Sequence, residues 1–157
     1  MPLVLDLLRH GEALPSGPGG DAARTLSPAG ANALRRLASR LASAGWRPDK
    51  AFTSPLRRAR ETAAIVLGAC GQPPEVRTLD ELAPDALVAE TLAALISRVA
   101  GARRVLLVGH QPLMGLLCAR LTGENRRFPP GAMVSVECDG PLADGAGRVV
   151  AAHSPER

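Results

Sequence analysis

Three histidines occur in the chain, and two of them, His10 and His110, stand beside glycine in His10-Gly11 and Gly109-His110. A glycine neighbour lets backbone and side chain come close to a ligand. Imidazole is basic and nucleophilic near neutral pH, so two histidines in matching settings suit covalent or acid–base work at one centre. Arg9 directly precedes His10, and Arg24, Arg57, Arg58 and Arg60 follow in loops or first helical turns. Guanidinium groups hold dianions through planar, bidentate hydrogen bonds. Together these residues describe a pocket for a phosphoryl group, with a histidine as the candidate nucleophile. Helical geometry does not choose among Arg57, Arg58 and Arg60, because all three leave the first turns of one helix. His153, the third histidine, reads as a surface residue.

Other routes to phosphate chemistry are missing from the sequence. There is no Walker A loop, no strand-linked G-x-G-x-x-G, no H-E-x-x-H and no carboxylate cluster with Mg²⁺ or Ca²⁺ spacing. Cys70, Cys118 and Cys138 are odd in number, far apart and without C-x-x-C spacing, which argues against a disulfide framework and a zinc site and fits a reducing cytoplasm. The chemistry is therefore expected to need no metal and no cofactor.

The elements that must position these groups follow from the apolar pattern. Leu3–Leu8 is a short apolar run ending in a glycine turn, as in a buried parallel strand. Residues 14–20 are rich in Gly and Pro and read as loop. Ser27-Pro28 reads as an N-cap and first helical position, with Leu34, Leu37, Ala38 and Leu41 at helical spacing until Gly45. Ala51-Phe52-Thr53 is a strand running into Ser54-Pro55, a second cap pair, with Leu56, Ala59, Ala63 and Val66 on one helical face. A strand over Val76–Leu79, a helix over Asp85–Val99 with Leu87, Leu92, Leu95 and Val99 apolar, and a strand over Val105–Val108 come next. Pro112 opens a helix through Leu121, and Met133–Glu137 and Arg148–Ala152 read as two last strands forming a hairpin.

This alternation predicts an α/β fold: a three-layer sandwich with a mostly parallel central sheet, helices on both faces and a C-terminal hairpin. Ligands of such sheets gather at the carboxyl ends of the strands. His10 and His110 follow the two most apolar strands and should emerge on that edge, where helices starting at Pro55 and Pro112 would add their dipoles. The 157 residues, 46% hydrophobic, fit one domain spanning 1–157.

Composition narrows the partners. The 19 basic residues include a single lysine, Lys50, and the arginines are interspersed with acids, with no Tyr, two Phe and one Trp, Trp46. A basic stripe and an aromatic platform are both absent, which disfavours a nucleic-acid-binding domain. The apolar start Met1–Leu5 lacks a basic leader and is interrupted by Asp6, and no run reaches transmembrane length. A cytoplasmic protein without nucleic-acid or membrane partners is expected.

With its motifs in this order, the sequence resembles the histidine phosphatases, the phosphoglycerate mutase-like superfamily. Arg9-His10-Gly11 matches that family's R-H-G after the first strand. Its second block looks like Ser54, Arg58-Ala59 and Thr62, and its late histidine looks like Gly109-His110-Gln111-Pro112. The segment Arg24-Thr25-Leu26-Ser27-x-x-Gly30 and the short length are most similar to the SixA-type phosphohistidine phosphatases. The resemblance, spanning residues 3–121, implies that His10 attacks phosphorus and that Arg9, Arg58 and His110 hold the phosphoryl oxygens. It also implies an extra phosphate-binding role for Arg24 and hydrolysis of phospho-His10 by water. It selects Arg58 over its helical neighbours, leaving Arg57 and Arg60 to solvent or to the substrate's edge. Nearby guanidinium groups would keep His10 neutral and complement charge on the transferring group.

Many relatives protonate the leaving oxygen with a Glu, and Leu79-Asp80-Glu81-Leu82 resembles the place where it sits, making Glu81 the candidate acid. An alkoxide needs that proton, whereas a protonated phosphoramidate releases neutral imidazole without it. Little chain separates Glu81 from His110, which leaves no room for a large substrate-enclosing insertion and disfavours a sugar-phosphate mutase. The expected substrate is phosphohistidine on a protein such as a histidine-phosphotransfer domain. Small phosphomonoesters are the enzymatic alternative, and a non-catalytic phosphate-binding module is the alternative of another class.

Overall fold

The computed structural model describes residues 2–15 and 17–155. Among these residues six strands form one sheet in the order β3-β2-β4-β1-β5-β6: β1 (Leu3–Arg9), β2 (Lys50–Thr53), β3 (Val76–Thr78), β4 (Arg104–Gly109), β5 (Met133–Cys138) and β6 (Gly147–His153). The first four are mutually parallel, while β5 runs antiparallel to β1 and pairs with β6 as the C-terminal hairpin. Helices α1 (Pro28–Ser43) and α2 (Arg57–Leu67) cover one face, and α3 (Val88–Arg98) and α4 (Leu113–Thr122) cover the other. This is the three-layer α/β sandwich expected from the alternation. No helix among the described residues is long and apolar enough to cross a membrane.

Two apolar layers arise from the two-residue period of the central strands. Leu5 and Leu7 of β1 join Val105 and Leu107 of β4 in the layer with α3 and α4, whereas Leu8, Leu106 and Val108 join α1 and α2. Both faces are thereby buried, which explains the continuous apolar runs. Asp6 breaks the run in β1 and is fully buried. Its carboxylate accepts from Trp46 Nε1 at 2.8 Å, Ser135 Oγ at 2.6 Å and Arg104 at 2.8 Å, so the buried charge is paired and its oxygens are occupied.

Helix α1 starts as the sequence predicts, with Ser27 Oγ accepting from Gly30 N at 2.9 Å. Two other helix starts differ. Helix α2 begins at Arg57 rather than Pro55, because Ser54 Oγ closes a turn on Leu56 N at 3.2 Å and its hydroxyl is engaged by His110. Helix α3 begins at Val88, not Asp85: residues 80–82 form a separate short turn, and Leu87 stands outside the helix with 64% of its surface exposed. Helix α4 begins at Leu113, where Gln111 Oε1 accepts from Gly115 N at 2.7 Å. His153, expected on the surface, ends β6 opposite Met133 and is half-buried. Met1 of the apolar start and residues 156–157 lie outside the described residues.

Candidate active site

The carboxyl ends of β2, β4 and β1 lie side by side and deliver three residues to one edge. Arg9 is registered against Gly109, and Thr53 against Val108. The backbone continues this alignment past the strands, with His10 N donating to Gly109 O and Ser54 N to Val108 O, both at 3.0 Å. His10 and His110 consequently face each other, with ring centroids 4.9 Å apart. Chain topology thus brings together residues that lie far apart in the sequence.

Hydrogen bonding fixes the tautomer of His10. Gly11 O, which can only accept, lies 2.8 Å from Nδ1, so the proton resides on Nδ1. Arg58 Nε donates to Nε2 at 3.3 Å, marking Nε2 as the unprotonated nitrogen whose lone pair accepts this bond. His10 is 8% exposed. Burial lowers its pKa to about 4 against the bond to Gly11, helped by the positive charges of Arg58, Arg9 and Arg24. At neutral pH the ring is uncharged, with its Nε2 lone pair directed at the guanidinium group of Arg58.

His110 is buried as well, and burial, followed by the proximity of His10 and Arg58, takes its pKa to about 3. Its Nε2 lies 2.8 Å from Ser54 Oγ. Only two buried side-chain nitrogens or oxygens among the described residues make no hydrogen bond within the protein: His110 Nδ1 and Arg9 Nε. Both belong to residues lining one cavity of about 310 Å³, which His10, Arg24 and Arg58 also line. Buried donors without partners are costly, and their coincidence here marks the place where an anion would satisfy them. A larger depression of about 600 Å³ lies near the amino-terminal ends of β2 and β3, but no histidine or cysteine lines it.

The three arginines are held differently. Arg9 NH1 donates to Phe128 O at 2.8 Å. Arg58 is 5% exposed on the buried face of α2, whereas Arg57 pairs with Glu61 and Arg60 donates to Pro55 O, both at the surface. Which face of α2 is buried against the fold makes the choice that helical spacing left open. Arg24 Nε donates to Leu14 O at 2.7 Å, and the strand-like segment after it is tied to α2 by Glu61, whose carboxylate accepts from Thr25 Oγ1 and Leu26 N. Burial opposes ionisation of Glu61, but these bonds and Arg57 outweigh it and hold the carboxyl below its usual range. Sequence reading missed this tether; its one linear trace is the i,i+4 spacing of Arg57 and Glu61.

Local packing explains several motif positions. Thr62 Oγ1 accepts from Gly11 N at 3.1 Å and donates to Arg58 O at 2.8 Å, linking the His10 turn to the helix that carries Arg58. A Cβ on Gly11 would lie 2.7 Å from Leu34 Cδ1, and one on Gly30 only 2.3 Å from Glu12 O. These close approaches seat the His10 segment on α1.

Glu81 is the one site candidate that the fold does not bring to this cavity. It lies in the short turn Asp80–Leu82 and is not among the residues lining it, although Pro84 from the same stretch is. Its backbone oxygen accepts from Thr91 Oγ1 at 2.6 Å, which fixes the turn against α3. The carboxylate that does line the cavity is Glu12, beside the histidine motif, where Ser27 Oγ donates to Oε1 at 2.8 Å. No group of three or more metal-type ligands occurs among the described residues.

Residues 5–87 match the family model of the histidine phosphatase superfamily, branch 1. No curated protein matches in sequence. Among solved structures, the protein histidine phosphatase SixA complexed with tungstate is 29% identical, with a TM-score of 0.88 and 98% and 97% of the two chains covered. A candidate phosphohistidine phosphatase SixA from Agrobacterium tumefaciens is 26% identical, with a TM-score of 0.84 and 99% of each chain covered. The α-ribazole phosphatase from Shigella flexneri shares the fold at 21% identity, with a TM-score of 0.71 and 97% and 100% coverage.

Proposed function

The chain belongs to the histidine phosphatase superfamily, and on that premise we propose that it removes phosphoryl groups from protein phosphohistidine through a covalent phospho-His10 intermediate. The observation that carries this reading is the neutral, buried His10 whose Nε2 faces Arg58 beside the unpaired nitrogens of Arg9 and His110. In the first step Nε2 attacks the phosphorus of a phosphohistidine protonated on its other ring nitrogen, the bond from phosphorus to the substrate imidazole breaks, and that imidazole leaves as a neutral ring. Arg9, Arg24 and Arg58 hold the equatorial oxygens, joined by the Nδ1–H of His110. Water then attacks phosphorus, the bond to His10 Nε2 breaks to restore the neutral Nδ1–H ring, and the water's protons stay on the departing orthophosphate or pass to solvent. Every step uses side chains alone, without metal or cofactor, and residues 1–157 act as one catalytic domain.

Phosphohistidine is favoured over small phosphomonoesters by the absence of Glu81 from the cavity lining. An alkoxide leaving group needs a proton, and the carboxylate that lines the cavity is Glu12, whose Oε1 is engaged by Ser27. A protonated phosphoramidate needs no such donor. Structural relatives include a phosphohistidine phosphatase and an α-ribazole phosphatase, so both substrate classes occur on this fold. A histidine-phosphotransfer domain is the partner that this chemistry suits.

The test is turnover of a phosphohistidine-bearing histidine-phosphotransfer domain and of an aryl phosphate, each with wild type and His10→Ala, with and without EDTA. Turnover on the phosphoprotein should fall at least ~1,000-fold in His10→Ala and be unchanged by chelation. Activity surviving in His10→Ala overturns the covalent route, and loss with EDTA overturns metal independence.

A further inference from the structure

Arg24 and Arg58 already hold an anion that belongs to the protein. Asp21 Oδ1 lies 3.2 Å from Arg24 NH1, and its other oxygen, Oδ2, lies 3.2 Å from Arg58 NH2. The same residue's backbone oxygen accepts from Arg58 NH1 at 2.8 Å. One carboxylate therefore bridges the two guanidinium groups with the spread oxygens that a phosphoryl group would present to them. Hydrogen bonds from Arg24 and, against some burial, Arg58 keep the Asp21 carboxyl below its usual range, so it is ionised at neutral pH.

How the carboxylate is mounted separates it from an ordinary structural ion pair. Asp21 opens a short turn, Asp21–Ala23, that follows Gly19 and Gly20, both at positive φ (96° and 77°) where only glycine fits easily. Its side chain is 57% exposed, whereas that of Arg58 is 6% exposed. The cation is fixed in the protein and the anion stands in solvent. Swinging the carboxylate out costs little, because an exposed ion pair contributes little, while moving Arg58 would break its bonds to His10 and to the Asp21 backbone.

We propose that Asp21 is an internal stand-in for the substrate's phosphoryl group, a carboxylate that bridges Arg24 and Arg58 at rest and is exchanged for phosphate when substrate binds. The inference rests on the assignment of Arg24 and Arg58 to phosphate binding. No bond is made or broken in the exchange: two guanidinium–carboxylate contacts are replaced by guanidinium–phosphate contacts, and the carboxylate returns to water. At rest the counter-charge keeps the two arginines oriented and screens their repulsion. During turnover it competes with substrate and with product orthophosphate, which weakens product retention.

Direct anion binding tests this without any need for turnover. Calorimetric titration of tungstate and orthophosphate into wild type, Asp21→Asn, Asp21→Ala and Arg58→Ala should give affinity about three- to ten-fold tighter in both Asp21 variants. Tungstate binding should be lost in Arg58→Ala, and the gain in the Asp21 variants should shrink at 1 M salt. A carboxylate that merely props up Arg58 gives a different pattern: binding unchanged in Asp21→Asn, whose amide oxygen still accepts, and weaker in Asp21→Ala. Either of those results overturns the proposal while leaving the phosphate site intact. Tungstate binding that is absent from wild type, or insensitive to Arg58→Ala, overturns the phosphate-site assignment and the Asp21 inference with it. Thermal unfolding of each variant confirms that a folded protein is being titrated.

Discussion

Ser54 Oγ lies 2.8 Å from His110 Nε2, joining the turn after β2 to the turn after β4. The same oxygen accepts from Leu56 N at 3.2 Å, so the hydroxyl hydrogen is free to point at His110. With Ser54 donating to Nε2, the imidazole proton sits on Nδ1, the buried atom that makes no hydrogen bond within the protein. Removing this hydroxyl in Ser54→Ala should lower kcat by roughly 10- to 100-fold through lost orientation and tautomer control. Nitrogen-15 NMR of the histidine rings supplies the decisive readout: the His110 tautomer population should change in the variant. A slower enzyme with an unchanged His110 tautomer would show that Ser54 acts only through packing.

The acid is the next point of test. Glu12 lines the cavity and Glu81 does not, so Glu12→Gln should slow hydrolysis of an alkyl phosphate by at least ~10-fold while leaving phosphohistidine turnover within about twofold. Glu81→Gln should change neither. A selective loss of alkyl phosphate hydrolysis in Glu81→Gln would instead assign the proton to Glu81 and require the turn at residues 80–82 to move.

Two buried neutral histidines also leave a mark on stability. His10 and His110 have pKa values of about 4 and about 3, below the 6.5 of an ordinary imidazole. The unfolded chain takes up these protons near pH 6.5, whereas the folded protein resists until pH falls through about 4. Stability contributed by their neutral form is thus complete above pH 6.5 and is lost as pH falls toward 4, at up to about 1.4 kcal/mol per pH unit for each histidine. Urea unfolding between pH 7 and pH 5, above the usual carboxylate range, should reveal this slope, and a His10→Asn/His110→Asn double variant should flatten it. Equal slopes in the two proteins would mean that the histidines are not the cause.

Gly30 carries the tightest glycine contact around the site, because a Cβ there would lie 2.3 Å from Glu12 O. Gly30→Ala is expected to destabilise the protein by about 1–3 kcal/mol through overpacking, since the obstacle is backbone and cannot rotate away. Displacing Glu12 also moves the adjoining His10 turn, so turnover at a temperature well below Tm should fall as well. Full activity in a destabilised Gly30→Ala variant would show that the strain dissipates into α1 before it reaches His10.

Much of this molecule was legible in the chain. The runs at Leu3–Leu8 and Val105–Val108 read as central strands because both faces of a parallel sheet are buried. The glycines at 11 and 109 marked where those strands end at a ligand edge. The start of α1 followed from Ser27-Pro28, since a cap is a local hydrogen bond between near neighbours. Where the reading slipped, distance in sequence was the cause: Ser54 had the composition of a helix cap, but His110, far along the chain, claims its hydroxyl. Leu87 fitted the apolar spacing of α3, yet the turn at residues 80–82 and the chain after it put the helix start one residue later.

The residue types and their order by themselves determined that this protein carries two histidines and a set of arginines behind strand ends, because strand and turn signals are local. Only the tertiary structure decided which nitrogen of His10 is free, which of three helical arginines faces it, that Glu12 rather than Glu81 lines the cavity, and that Asp21 occupies the guanidinium pair. Those outcomes depend on hydrogen bonds and burial between residues distant in sequence, and they exist only once β2, β4 and β1 are aligned at one edge.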